Sequence, residues 1–190
     1  RAVGARLVLD FLNTADWSEE GEVIDEKLAS LADVMRWTDA LGISRAITDG
    51  RAHDLTALRH LRAELRELCL SVLRGSPPDP EVIGQLNELL NSTADASQIV
   101  RFTRRPWLVV ESRLIDAILT SAKAVLTDPR EIGRINMCQG TDCGWFYLDE
   151  SRNQQRKWCM MQTCGNRAKA RRFYANKTSQ AVTQNSDSGR

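Results

Sequence analysis

Four of the chain's five cysteines lie together, as two pairs of equal spacing: Cys138-x4-Cys143 and Cys159-x4-Cys164, with fifteen residues between the pairs. Thiolates held in two close pairs suit a tetrahedral zinc ion, each pair wrapping one side of it. The spacer is long enough for a hairpin, with "GWFYL" and "RKWC" expected as its strands and "DESRNQQ" as its turn. Past Cys164, "GNRAKARRFYANK" is rich in helix formers, which places the last ligand at the first turn of a helix. Knuckle, hairpin and helix in that order describe a treble-clef (ββα-like) finger. With four protein ligands the ion has no open position, so the expected Zn²⁺ is structural and single. Disulfides fit poorly with a reducing compartment, and redox dithiols usually have two intervening residues. An iron–sulfur cluster also takes four cysteines, and spacing alone leaves that open.

The elements that must position these thiols divide by charge. Residues 1–133 carry 16 basic and 21 acidic side chains, a net of −5, whereas residues 134–177 carry 9 basic and 3 acidic, a net of +6. A zinc ion with four thiolates adds −2 and leaves the C-terminal module near +4. A basic module on an acidic body suits a polyanionic partner. Arg167, Lys169, Arg171 and Arg172 on the expected helix, with Arg152, Arg156 and Lys157 at the hairpin, are the candidate DNA contacts. A solvated helix face with no partner explains the same charges.

The body is expected to be mainly α. Helical spacing is present at Leu28, Leu31, Val34 and Met35, and more fully from Leu55 to Val72, where Cys69 continues an apolar stripe. Asp79 and Pro80 mark the start of another helix. "SQIVRFTRRPWLVVES" suits a short β-hairpin. Beyond Ser112, a possible cap, Leu114, Ile115, Ile118, Leu119, Ala122, Val125 and Leu126 form the cleanest amphipathic stripe. The opening run Leu7–Leu12 is too short to assign. The organisation expected is an α-rich domain over 1–133, a zinc finger over 134–177 and a polar, disordered tail over 178–190.

"RINMCQGTDCGWFYLDESRNQQRKWCMMQTCGNRAKARRFYANK" closely resembles the CGNR zinc finger of bacteria, whose tetrapeptide is here Cys164, Gly165, Asn166 and Arg167. The resemblance carries the zinc ligands onto Cys138, Cys143, Cys159 and Cys164. Such fingers usually follow an N-terminal helical ABATE domain, and "LVLDFLNTADW" resembles its opening motif. The resemblance implies a stress-induced transcription regulator, with DNA bound by the finger and sensing by the larger domain.

Polar residues in that opening motif, Asp10, Asn13, Thr14 and Trp17, are the candidates for a small-molecule site, against the plainer reading that they satisfy local backbone. His53 and His60 share a helix face without a third ligand. Arg101, Arg104 and Arg105 beside Trp107 suit an anion or a solvated turn equally. No phosphate loop, catalytic-zinc motif or serine elbow is present, so no enzymatic activity is expected. No apolar run reaches the roughly 20 residues of a membrane span, and no signal peptide is evident, so the expected location is cytoplasmic, nucleoid-associated when bound. A single finger offers a small footprint on double-stranded DNA, hence an expected homodimer. The rival function is a zinc-stabilised protein-interaction module, or an RNA binder.

Overall fold

A computed structural model describes residues 3–43, 55–94, 98–101, 108–110 and 114–187. His53, Arg104, Arg105, Trp107 and Ser112 lie outside the described residues, and of Arg101 only its strand is described. The fold is mainly α, with three two-stranded antiparallel hairpins among the described residues.

The opening run forms a short helix, α1 (Leu7–Leu12). Val8, Leu9, Phe11 and Leu12 are all buried, so α1 is wrapped by neighbours on every side. That explains why its apolar residues show no helical period. A hairpin follows, β1 (Ala15–Trp17) with β2 (Val23–Glu26), bulged between Asp16 and Trp17. Helix α2 (Leu31–Ala40) starts at a capping box, in which Ser30 Oγ accepts from the Asp33 amide and Asp33 Oδ2 accepts from the Ser30 amide.

Helix α3 (Leu55–Arg74) buries Leu58, Leu61, Leu65, Leu68 and Cys69 along one face, the stripe expected from spacing. Asp79 Oδ1 accepts from the Glu81 amide at 2.9 Å and opens α4 (Pro80–Ala94) with proline at its first position. Strands β3 (Gln98–Arg101) and β4 (Leu108–Val110) pair where the β-branched segment predicted them. Helix α5 (Leu114–Thr127) lays its stripe on α1. "TDPR" ends α5 and starts a short α6 (Pro129–Ile132), with Asp128 as cap.

The C-terminal hairpin differs from the expected one. Its strands are β5 (Ile135–Met137) and β6 (Phe146–Leu148), so the first cysteine pair forms the turn between them. "RKWC" is not a strand. Its backbone is drawn to the zinc ligand loop, where Lys157 O accepts from the Gln139 amide at 3.0 Å. After a π-helical turn (Met161–Gly165) comes α7 (Asn166–Asp187). Most of the segment expected to be disordered is therefore helix. Its composition is too polar to build a core, yet Gln and Ala are adequate helix formers on an element that needs none.

The hairpin binds the two halves together. Ile135, Phe146 and Leu148 join the same buried core as Leu9, Phe11, Leu58, Leu65, Leu114 and Ile118. Tyr147, on the opposite face of β6, packs instead with the four cysteines. Alternation along one three-residue strand thus serves two cores at once.

Candidate metal centre and basic face

The four candidate thiols converge. The Sγ atoms of Cys138, Cys143, Cys159 and Cys164 all lie within 4.8 Å of one another, and all four residues are buried. Cys143 and Cys159 are separated by 3.7 Å at sulfur, Cys159 and Cys164 by 3.6 Å. Zinc–sulfur bonds of about 2.3 Å in a tetrahedron place sulfurs about 3.8 Å apart. A disulfide needs about 2.05 Å, and all five cysteines are free. Sulfurs this close surround one ion, whereas a cluster's separate irons spread their thiolates farther. The residues present fit a single structural zinc.

Each half of the site is built locally. The Cys138 amide donates to Trp145 O at 2.8 Å, closing the knuckle. The Gly140 amide donates to Cys138 Sγ at 3.4 Å, a bond that favours the thiolate. A Cβ at Gly140 would sit 3.1 Å from both Cβ and Sγ of Cys164, so a side chain there would crowd a ligand. Cys164 lies in the π-helical turn just ahead of α7. Asn166 Nδ2 donates to Gln162 O at 3.2 Å, and Gly165 is buried, so these two shape the helix start while Arg167 faces solvent.

Without an ion the sulfurs compete for protons. Hydrogen bonds from Cys143 and Cys159 hold the Cys138 thiol far down, at about 2. The hydrogen bond to Cys138 pushes Cys143 up to about 12, and the same contacts raise Cys159. Zinc binding therefore displaces protons.

Asp149 organises the loop that carries the second pair. It is fully buried; its Oδ1 accepts from Ser151 N and Oγ, and its Oδ2 from the Arg156 amide at 2.8 Å. Burial pushes its carboxyl up, but those hydrogen bonds outweigh it and hold the group below its ordinary range. Arg156 is exposed but engaged with the finger itself: Nε donates to Trp158 O at 2.9 Å, a terminal nitrogen donates to Cys159 O, and the guanidinium lies 4.3 Å from the Tyr147 ring centroid. Among the candidate DNA contacts it is the one with a structural task.

The other candidates are exposed. Arg167, Lys169, Arg171 and Arg172 stand on α7 with no ion pair to any described residue, and Arg152 and Lys157 are likewise exposed and unpaired. Arg167 and Arg171 share one flank a turn apart, while helical geometry sends Lys169 and Arg172 to the other. Phe173 and Tyr174 beside them are 65% and 66% exposed, and their rings meet edge to face at 5.7 Å. Helical spacing in a segment this polar had not singled them out; two adjacent aromatics in a basic run were the available signal.

The opening motif turns out to grip the finger. Asn13 pairs by its side-chain amide with the Phe146 backbone at 2.8 Å in both directions. Trp145 Nε1 donates to Ala15 O at 3.1 Å and to Asp16 Oδ1 at 2.7 Å. Arg66, buried on α3 without a carboxylate partner, donates to Gly144 O at 2.9 Å and lies 4.1 Å from the Trp17 ring centroid. Burial lowers its guanidinium to about 10, which leaves it charged at neutral pH. Gly144 has φ +62°, and a Cβ there would fall 2.8 Å from the Trp17 Cβ. No sequence signal pointed to Arg66 or Gly144.

Asp10, Asn13 and Thr14 line one cavity of about 120 Å³ with Lys27, Leu28, Trp37, Leu41 and Trp145; Trp17 lies elsewhere. Ligand pockets are commonly about 300–1,000 Å³. The polar groups are also engaged: Asp10 Oδ1 accepts from the Val3 and Gly4 amides, and Thr14 Oγ1 donates to Phe11 O and accepts from Arg62. Asp10 and Thr14 thus satisfy nearby backbone, whereas Asn13 serves the distant strand at Phe146.

An α-rich body fused through a shared core to a four-cysteine finger, its first pair in a hairpin turn and its last ligand just ahead of a helix, defines a zinc-finger protein with one structural ion. The CGNR zinc finger model matches residues 134–177. The ABATE model, described as "Putative stress-induced transcription regulator", matches residues 5–129. The chain belongs to the ABATE family and carries a CGNR zinc finger after that domain. No curated protein matches it. Among the described residues no helix is long and apolar enough to cross a membrane.

Proposed function

We propose that this protein is a non-catalytic transcription regulator that binds double-stranded DNA through helix α7 of its zinc finger. One observation carries the reading: four cations on α7, Arg167, Lys169, Arg171 and Arg172, are exposed and unpaired beside a rigid metal centre. Two of the finger's three acids are turned away from that face, Asp149 into its loop and Glu150 to within 3.8 Å of Arg6 of the N-terminal part, and the third, exposed Asp142, forms no ion pair with α7. Arginine on such a helix contacts phosphates or reads guanine in the major groove. The N-terminal domain holds the finger in one orientation through Asn13, Asp16 and Arg66, and a second copy of the chain doubles the footprint.

Fluorescence anisotropy on zinc-loaded protein tests the reading. Replacing Arg171 and Arg172 together with Ala is expected to weaken duplex binding at least tenfold while zinc content and secondary structure stay unchanged. Equal affinity would remove α7 from the interface.

A further inference from the structure

We propose that the cleft between the zinc knuckle and helix α7 is a phosphate-binding site. Gln139, Gly140 and Thr141 form one wall, Arg167 and Arg171 the other, and Cys164 the floor. The inference rests on the reading of α7 as the DNA-contacting helix, and assigns one backbone phosphate to one place on it.

The cleft measures about 200 Å³, room for a phosphate group and its remaining water. The two guanidiniums come from a single flank, one turn apart, and planar forks of this kind match phosphate oxygens two at a time. Neither is paired with a carboxylate among the described residues. Neither donates to a cysteine sulfur, whereas the Gly140 amide does. The arginines are therefore not consumed by the charge of the thiolates they stand beside. Opposite them, the side chains of Gln139 and Thr141 are exposed and hold no hydrogen bond to a described residue. An amide and a hydroxyl supply neutral donors from the facing wall. Gly140 lines the cleft with backbone alone, and a Cβ there would press on Cys164 at 3.1 Å. Lys169 and Arg172, on the other flank, are left to the grooves.

A phosphate held from two walls fixes the finger's register on the duplex and carries no sequence information itself. The zinc knuckle thereby becomes part of the DNA-contacting surface, and zinc loss removes a contact as well as a scaffold.

Nuclear magnetic resonance on the full, zinc-loaded, ¹⁵N-labelled chain tests this with inorganic phosphate as the probe, at constant ionic strength. Saturable shifts are expected in the amides of residues 139–141 and in the Nε–H groups of Arg167 and Arg171. Arg171→Gln should weaken them at least tenfold, and Lys123→Gln, on exposed α5 surface, should leave them unchanged. Absent or non-saturable shifts, or an Arg171→Gln response equal to that of the parent, overturn the site. So does an Arg171→Gln protein that loses zinc faster to a chelator with its phosphate response intact, since that guanidinium would only balance the thiolates.

Duplex binding supplies the second arm. Arg171→Gln should weaken unrelated duplexes equally and reduce the slope of log K against log salt by about 1. Phosphate shifts in a protein that binds no duplex would keep the site and sink the DNA reading. Duplex binding without phosphate shifts would do the reverse.

Discussion

The side-chain amide of Asn13 brackets the backbone of Phe146: Nδ2 donates to its carbonyl and Oδ1 accepts from its amide, each at 2.8 Å, across 133 residues of sequence. The two residues belong to different family modules, yet they join α1 to the strand that follows the first zinc pair. Around this joint, Arg66 holds Gly144, and Trp145 reaches back to Asp16. Finger and body are packed as one piece.

Asn13→Ala leaves the amide and carbonyl of Phe146 without partners in a buried place. Each unsatisfied group costs about 1–3 kcal/mol, so a loss of about 2–6 kcal/mol is expected in urea unfolding of the zinc-loaded protein. A loss below about 0.5 kcal/mol would mean that the joint is not formed in solution.

The zinc site predicts a thiol count. In the loaded protein no cysteine should react promptly with a thiol reagent at neutral pH. Chelation removes the ion that holds the finger's four thiols together, so those four should become accessible and react, while Cys69, 2% exposed in the core of the body, stays slow. Because Cys143 and Cys159 are raised and hence protonated at neutral pH, reloading should release at least two protons per zinc. Affinity should fall at least 100-fold for each pH unit of acidification across that range. A pH-stat titration reads the first quantity and chelator competition the second.

Glu26 faces Arg62, whose guanidinium is 2% exposed and also bonds Thr14. Burial pushes the Glu26 carboxyl up, but the Arg62 hydrogen bond, the Leu28 amide and the charges of Arg62 and Arg59 outweigh it and hold it below its ordinary value. A depressed folded pKa gives stability that is full above the unfolded value of about 4.3 and lost as pH falls through the folded one. Glu26→Gln should cost about 3 kcal/mol at neutral pH, since it strands a buried cation. The gap between parent and variant should close in acid. A gap independent of pH would show that the contact does not depend on charge.

The zinc ligands were legible because coordination is written in local spacing: two x4 pairs need only a turn apiece to converge. The amphipathic stripes of α3 and α5 were legible for the same reason, each being periodic over several turns. Leu7–Leu12 was not, because a helix buried all round has no polar face to set a period. The hairpin was misplaced since "INM" and "RKWC" are both too short to carry a pattern, and the choice is made by the pairing of Ile135 with Leu148 and by the bond of Lys157 O to Gln139. The grip of Asn13 on Phe146 was invisible: an asparagine near a chain start reads as a local cap, and nothing in its surroundings names a partner 133 residues away. The same limit hid Arg66, one cation among several on an outwardly ordinary helix.

Selection from fragmented genomic DNA at near-physiological salt, with the zinc-loaded chain and sequencing of what it retains, bears on DNA recognition at once. A shared motif should be enriched, symmetric if two copies bind together, and the enrichment should be lost after chelation. Recovery without a motif, or no recovery, would contradict a sequence-specific regulator and turn the basic helix toward a protein or RNA partner.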